Sequence, residues 1–218
     1  MNSTTQSVAA DSVAHAVPER ARILGRLLPL FGVSGIAALI YQICWQRLLF
    51  VAFGVDVDSV TIIVSTFMLG LGLGALVGGH LADRFPRHAL TLFAAIELGI
   101  GVFGCFSAPL IRVVGAFSIH GSLVHIAIAN FLLLLWPTMM MGATLPILVS
   151  HVVRAFGNVG VSIGLLYFVN TLGAAIGAAA TGFVTLYYLG LSQTIYVACL
   201  LNLFVAVAVW VCFRRSDA

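Results

Sequence analysis

The chain contains no lysine: its ten basic residues are all arginine, and with seven acids they make up only 8% of 218 residues. Soluble domains carry about 25% charged residues. With 61% apolar residues besides, a water-soluble globule is excluded, because it would expose large hydrophobic patches. The net charge of +3 is too small a basic excess to argue for a nucleic-acid partner. Cysteine is scarce too. Cys44, Cys105, Cys199 and Cys212 all lie in apolar runs, and none forms a C-x-x-C pair. They read as small packing residues rather than a disulfide framework. The histidines show no H-E-x-x-H or H-x-x-x-H spacing. No metal site and no cofactor is expected.

What the chain has in abundance is long apolar runs. A bilayer core about 30 Å thick needs roughly 20 apolar residues in a helix. Six runs meet that requirement, near 28–50, 59–82, 89–111, 124–150, 160–185 and 191–213. The expected fold is an all-α, multi-pass membrane protein of six transmembrane helices. The fourth run is overlong and holds Pro137 and Pro146, so it is expected to be kinked or broken, with room for a seventh element. Residues 1–20 are small and polar, without apolar periodicity, and read as a disordered tail. Residues 21–215 form a single membrane domain, and 216–218 a short C-terminal tail. The first apolar run is too long for the core of a signal peptide.

Arginine placement sets an orientation. With the N-terminus cytoplasmic, one side carries Arg20, Arg22, Arg26, Arg84, Arg87, Arg154, Arg214 and Arg215. The other carries Arg47 and Arg112, with Asp56 and Asp58. Both termini are therefore expected in the cytoplasm, and the chain in the cell membrane, in a bacterium the inner one.

The stretch FMLGLGLGALVGGHLADR, residues 67–84, imitates a dinucleotide loop. Such a loop follows a strand and opens a soluble helix, with an acid some 20 residues on. Here the glycines lie deep in an apolar run, and Asp83 comes too early. Read as a helix, Gly70, Gly74 and Gly78 form one stripe that lets another helix approach closely in lipid. A shift of 103 positions lays Ala52, Phe53 and Gly54 over Ala155, Phe156 and Gly157, and Gly70 and Gly74 over Gly173 and Gly177. The match sets the second span over the fifth, three spans apart, so the two copies run in opposite directions. An inverted three-plus-three repeat is the architecture expected from it.

Two resemblances follow. GGHLADRFPRH, residues 78–88, resembles the loop between the second and third helices of major facilitator transporters. Asp83, Arg84 and Arg87 match; Pro86 stands where glycine is usual and His88 where a basic residue ends the motif. The resemblance implies a cytoplasmic loop that joins and gates two six-helix halves, so this chain would be half of such a transporter. The second resemblance covers more of the chain. SGIAALIYQICWQRLL, FMLGLGLGALVGG, MGATLPIL and LYFVNTLGAAIGAAATGF are similar to the membrane domain of spermidine-synthase-like membrane proteins. In those proteins a soluble aminopropyltransferase-type domain follows, which binds S-adenosylmethionine or its decarboxylated form. No such domain lies within residues 1–218, so the chain is expected to be the membrane domain alone and not an enzyme.

Polar groups at bilayer depth are costly and mark candidate sites. Glu97 is the one carboxylate well inside a span. It reads either as a proton or cation site or as a neutral acid bonded to a neighbouring helix. In the first span Tyr41 and Trp45 share a face, as do Gln42 and Gln46, with Arg47 beside them. That face is a substrate wall or a helix contact with an interfacial anchor. Asn170, Thr171 and Asn130 read as interhelical hydrogen bonders or ligand contacts, and Asp56 and Asp58 sit at the outer mouth. Two functions are expected from these features. One is facilitator-like transport or binding of a small molecule, a polyamine or another cation, by a homodimer in the lipid bilayer. The other is a structural subunit that anchors a separately encoded enzyme or joins a larger membrane complex.

Overall fold

The structure, a computed structural model, describes residues 3–53, 56–117 and 123–213. It is all-helical over that range. The elements are α1 (Ser3–Phe53), α2 (Asp56–Arg84), α3 (Ala89–Phe117), α4 (Leu123–Phe156), α5 (Val159–Ala180), α6 (Leu186–Tyr188) and α7 (Gly190–Phe213). Six stretches are long and apolar enough to cross a bilayer: Leu24–Val51, Val60–Arg84, Pro86–Gly115, Ala127–Arg154, Val159–Tyr188 and Gly190–Phe213. They match the six expected runs with ends moved by a few residues. Helix α1 also extends back to Ser3, through the segment read above as a disordered tail.

Helix α4 is one unbroken helix, with Pro137 and Pro146 inside it. Of the two expected outcomes, a kink or a break, the break does not occur, and no seventh span appears among the described residues. Prolines survive in such helices where other groups occupy the freed backbone positions. Next to Pro137 the Thr138 hydroxyl lies 2.9 Å from both the Leu134 and Leu135 carbonyls, to which it can donate. The irregularity sits instead in the fifth span, where a π-helical turn, Thr181–Thr185, joins α5 to the short α6. Sharp turns fall where glycine adopts the left-handed region. Gly157 (φ 72°) ends α4, donating its N–H to the Val153 carbonyl, and the Asn158 side chain then caps α5 by accepting from the Val161 N–H.

The main helix pairs are α2 on α4, α1 on α5, α3 on α7, α3 on α4 and α1 on α7. The first two are close. A Cβ at Gly70 would run into Thr138, and one at Gly74 into the Met139 carbonyl. A Cβ at Gly78 would meet the Ala143 backbone. On the other pair, a Cβ at Gly173 would strike the Gly32 carbonyl, and one at Gly177 the Ile36 carbonyl. Glycine is the residue that leaves room for such backbone approach.

The buried apolar residues form two clusters. One holds Ala37, Tyr41, Trp45, Ile100 and Ala198; the other holds Phe31, Phe93, Ala94, Ile147 and Val205. Cys105 and Cys199 are joined as a disulfide between α3 and α7, with Cα atoms 6.0 Å apart. This corrects the reading of all four cysteines as separate packing residues. The two lie 94 positions apart, so sequence spacing carried no sign of the pairing.

Candidate functional site

Three polar side chains meet where the two apolar clusters adjoin. Glu97 (α3) is fully buried, Asn202 (α7) is 2% exposed and Ser34 (α1) 8%. Each has a member of one cluster three or four residues before it and a member of the other after it. The Ser34 hydroxyl donates to Glu97 Oε1 at 2.6 Å, and Asn202 Nδ2 donates to Glu97 Oε2 at 2.6 Å. Both donors are neutral, and Glu97 has no charged partner among the described residues. Asn202 Oδ1 is buried with no partner. A carboxylate accepts up to about four hydrogen bonds. Glu97 is therefore an acceptor held by two donors with accepting capacity left, and its negative charge needs either a proton or an incoming cation.

Above the trio along α1 and α3 lies a second polar pair. Trp45 Nε1 donates to Ser107 Oγ at 3.0 Å, and Ser107 Oγ donates to the Gly104 carbonyl at 2.8 Å. Tyr41 stacks on Trp45 with ring centroids 4.9 Å apart, and its hydroxyl lies against Gly104, buried and without a partner. Phe67 and Phe103 close the ring around Trp45 at 6.0 and 5.9 Å.

The expected polar face of α1 is thus two faces. Tyr41 and Trp45 are buried against α3, whereas Gln42 and Gln46 are half-buried and Arg47 is exposed. Gln46 and Arg47 line an open groove of about 440 Å³ with Ile43 and Phe50. Asn170 is half-buried where α5 crosses α1, its backbone and side chain against Gly35. Thr171 is exposed and Asn130 is buried in α4. Asp56 and Asp58 open α2, and their side chains lie outside the described residues.

Asp83, Arg84 and Arg87 are all exposed at the end of α2 and the turn after it, Pro86–His88. The Arg84 guanidinium lies 5.8 Å from the centroid of the Phe85 ring. The bonds that tie this corner down come from a residue outside the motif. Arg154 of α4 donates to the Pro86 carbonyl at 2.7 Å, the Ala82 carbonyl at 3.0 Å and Ser150 Oγ at 2.6 Å. It thereby serves the carbonyls that a helix end leaves open.

Of the expected site residues only Glu97 sits in the buried trio. Ser34 and Asn202 were missed. Asn202 carried a usable signal, a lone amide in the middle of an apolar span. Ser34 carried none, since a serine in a membrane helix is ordinary.

No protein-family model matches the chain, and no solved structure matches it significantly. Curated relatives do. The polyamine aminopropyltransferase of Oceanobacillus iheyensis is 26% identical over 189 residues, 85% of this chain and 35% of that protein. That of Mycobacterium tuberculosis is 27% identical over 191 residues, 84% of this chain and 35% of its own length. Polyamine aminopropyltransferase 2 of Streptomyces coelicolor is 28% identical over 175 residues, 77% of this chain and 30% of its own. The chain spans about a third of the length of the relatives it matches. These relatives overturn the expectation that the protein is not an enzyme, because each bears an enzyme's name. That expectation rested on a domain not found within residues 1–218, and a stretch covering a third of its relatives says nothing about the remainder. The chain is similar to part of the polyamine aminopropyltransferases, in a stretch that folds as six helices fit to span a membrane.

Proposed function

We propose that this chain is the membrane-spanning part of a protein of the polyamine aminopropyltransferase kind, and that it binds an amine cation, a polyamine or its precursor, at bilayer depth. The observation that carries the reading is Glu97, a fully buried carboxylate held by two neutral donors, without a cation among the described residues. An ionised acid at the centre of a membrane helix costs on the order of 3 kcal/mol. A cationic ligand offsets that cost, and polyamines are cations. The names of the relatives support the same ligand class.

An inverted repeat suits this role, with the site near the bilayer midplane. Exchanging the first three spans for the last three carries α2 on α4 into α1 on α5, and α3 on α4 into α1 on α7. The close contacts follow the same exchange. Gly177 lies 103 positions after Gly74, and Met139 lies 103 after Ile36, the carbonyls those two glycines face. The reading further places both termini and the Arg84, Arg87 and Arg154 corner in the cytoplasm. It places the chain in a bacterial inner membrane and pairs it with a second copy to complete a facilitator-like cavity. A second role is supported by the greater length of the relatives: the helices would anchor the aminopropyl-transferring part to the membrane.

Two measurements test the proposal. Spermidine formation from putrescine and decarboxylated S-adenosylmethionine is expected to co-purify with the tagged chain from native membranes. An inert purified chain, with the activity left behind, contradicts the enzyme context. Labelled putrescine is expected to bind the purified chain and to be lost in Glu97→Gln; equal binding by both contradicts the site.

A further inference from the structure

Three carboxamides stand along one flank of the seam between α1 and α5. Gly35, Gln42 and Gln46 lie at i, i+7 and i+11 on α1, which sets them on one face of that helix. The Asn170 side chain of α5 packs against Gly35 and forms the foot of the stripe. From Gly35 to Gln46 the stripe climbs about 16 Å. Gln42 stops about 13 Å short of Val51, the end of the first span, so it lies at bilayer depth. Gln42, Gln46 and Asn170 are all half-buried, and none of the three side chains has a hydrogen-bond partner among the described residues.

Hydrocarbon offers such groups nothing to bond to, so polar side chains within a membrane turn to protein or to water. Packing of the helices does not demand amides here. A shift of 103 positions carries Gln42 and Gln46 onto Leu145 and Val149, which are half-buried to match, and sets Asn170 over Phe67. The equivalent flank of the seam between α4 and α2 is thus apolar at all three positions. The amides are an addition to one flank only, and what they serve lies outside this chain.

We propose that this stripe is the surface on which a second copy of the chain docks. It rests on the reading of the protein as paired across a shared cavity, and adds the face that does the pairing. A carboxamide carries both a donating NH₂ and an accepting oxygen, so a row of carboxamides is complementary to itself. Two copies related by a two-fold axis along the membrane normal keep the same orientation. Gln42 then meets Gln42 and Gln46 meets Gln46 at equal depth, each pair exchanging two N–H···O bonds. Hydrogen bonds between polar side chains are one of the forces that associate helices in lipid. Arg47 stands about 100° round the helix from Gln46, which leaves the stripe itself uncharged and suited to a like surface rather than to an acidic one.

The test uses the full chain in native membranes, with the exposed Cys212 replaced by alanine. Gln42→Cys and Gln46→Cys are expected to join two copies on oxidation, giving a band of twice the chain's mass. Leu200→Cys, exposed on α7, is expected to give none. In native mass spectrometry the wild type is expected as a dimer, and the double variant Gln42→Leu, Gln46→Leu as shifted about tenfold or more toward monomer. Its melting temperature as a monomer is expected to match that of dissociated wild type, because neither side chain bonds within the chain. If the double variant pairs as the wild type does, or copies join at Leu200→Cys and not at Gln42→Cys, this surface is overturned while the pairing stands. Capture of a different protein by Gln42→Cys overturns the second copy as occupant. A wild type that is monomeric in the membrane overturns the pairing and this surface together, and leaves the Glu97 site to its own test.

Discussion

The seams between α2 and α4 and between α1 and α5 hold helices together by one means, and the seam among α1, α3 and α7 by another. In the first pair backbones touch across glycine, with Gly74 against the Met139 carbonyl and Gly177 against that of Ile36. In the second, three helices share a buried carboxylate through hydroxyl and amide hydrogen bonds. Lipid tails are as apolar as leucine, so close contact is the inexpensive way to associate helices there, and a buried acid is an expensive one. The difference teaches where to look for function. The glycine seams are explained by packing alone, whereas Glu97 is not, because leucine would fill its place without the electrostatic cost.

The comparison breaks most sharply at the glycines. Gly74→Leu and Gly177→Leu place side chains into a neighbouring backbone, which cannot rotate away. Each is expected to cost more than the ~1–3 kcal/mol usual for an overpacked core, and to abolish a monodisperse peak in fluorescence-detected size-exclusion chromatography. Gly72→Leu and Gly79→Leu, with nothing within 4 Å of a Cβ, are the controls and are expected to stay within about 0.5 kcal/mol of wild type.

The polar seam is expected to respond to a different logic. Glu97→Leu leaves the Ser34 hydroxyl and the Asn202 amide buried without an acceptor, at about 1–3 kcal/mol each. Adding Ser34→Ala and Asn202→Leu removes the stranded donors and is expected to recover most of that loss in thermal melts. No such rescue is available at the glycine seams, where nothing unsatisfied is created. Further up the same helices, Trp45→Phe gives up one bond to Ser107, whose hydroxyl keeps its own acceptor, the Gly104 carbonyl. A loss of about 1 kcal/mol is expected, with amine binding unchanged. The smallest effect lies at the arginine corner. Arg154→Ala is expected to speed amide exchange around residues 82–90 by freeing two carbonyls. Arg84→Ala, whose guanidinium rests on Phe85 alone among described contacts, is expected to leave exchange there nearly unchanged.

The six spans were legible because bilayer thickness converts directly into run length, and the chain has few charges to blur the ends. The continuity of α4 was not, because a proline's effect depends on which hydroxyls and neighbours serve the backbone around it. Glu97 stood out as the single carboxylate within a span. Its partners lie 63 and 105 residues away, a pairing that helix packing creates and local sequence does not encode. Tyr41 and Gln42 were read on one face because each pairs with a residue four positions on. One residue is a turn of about 100° on a helix, and that angle is what separates a buried tyrosine from a half-buried glutamine.

The central claim is that Glu97 meets an amine cation directly. Infrared difference spectroscopy of the chain in phosphatidylglycerol nanodiscs, with and without putrescine, reads the carboxyl group itself. The account predicts an amine-induced change in a carboxyl band that is present in the wild type and missing in Glu97→Gln. The same difference spectrum from both proteins would contradict it.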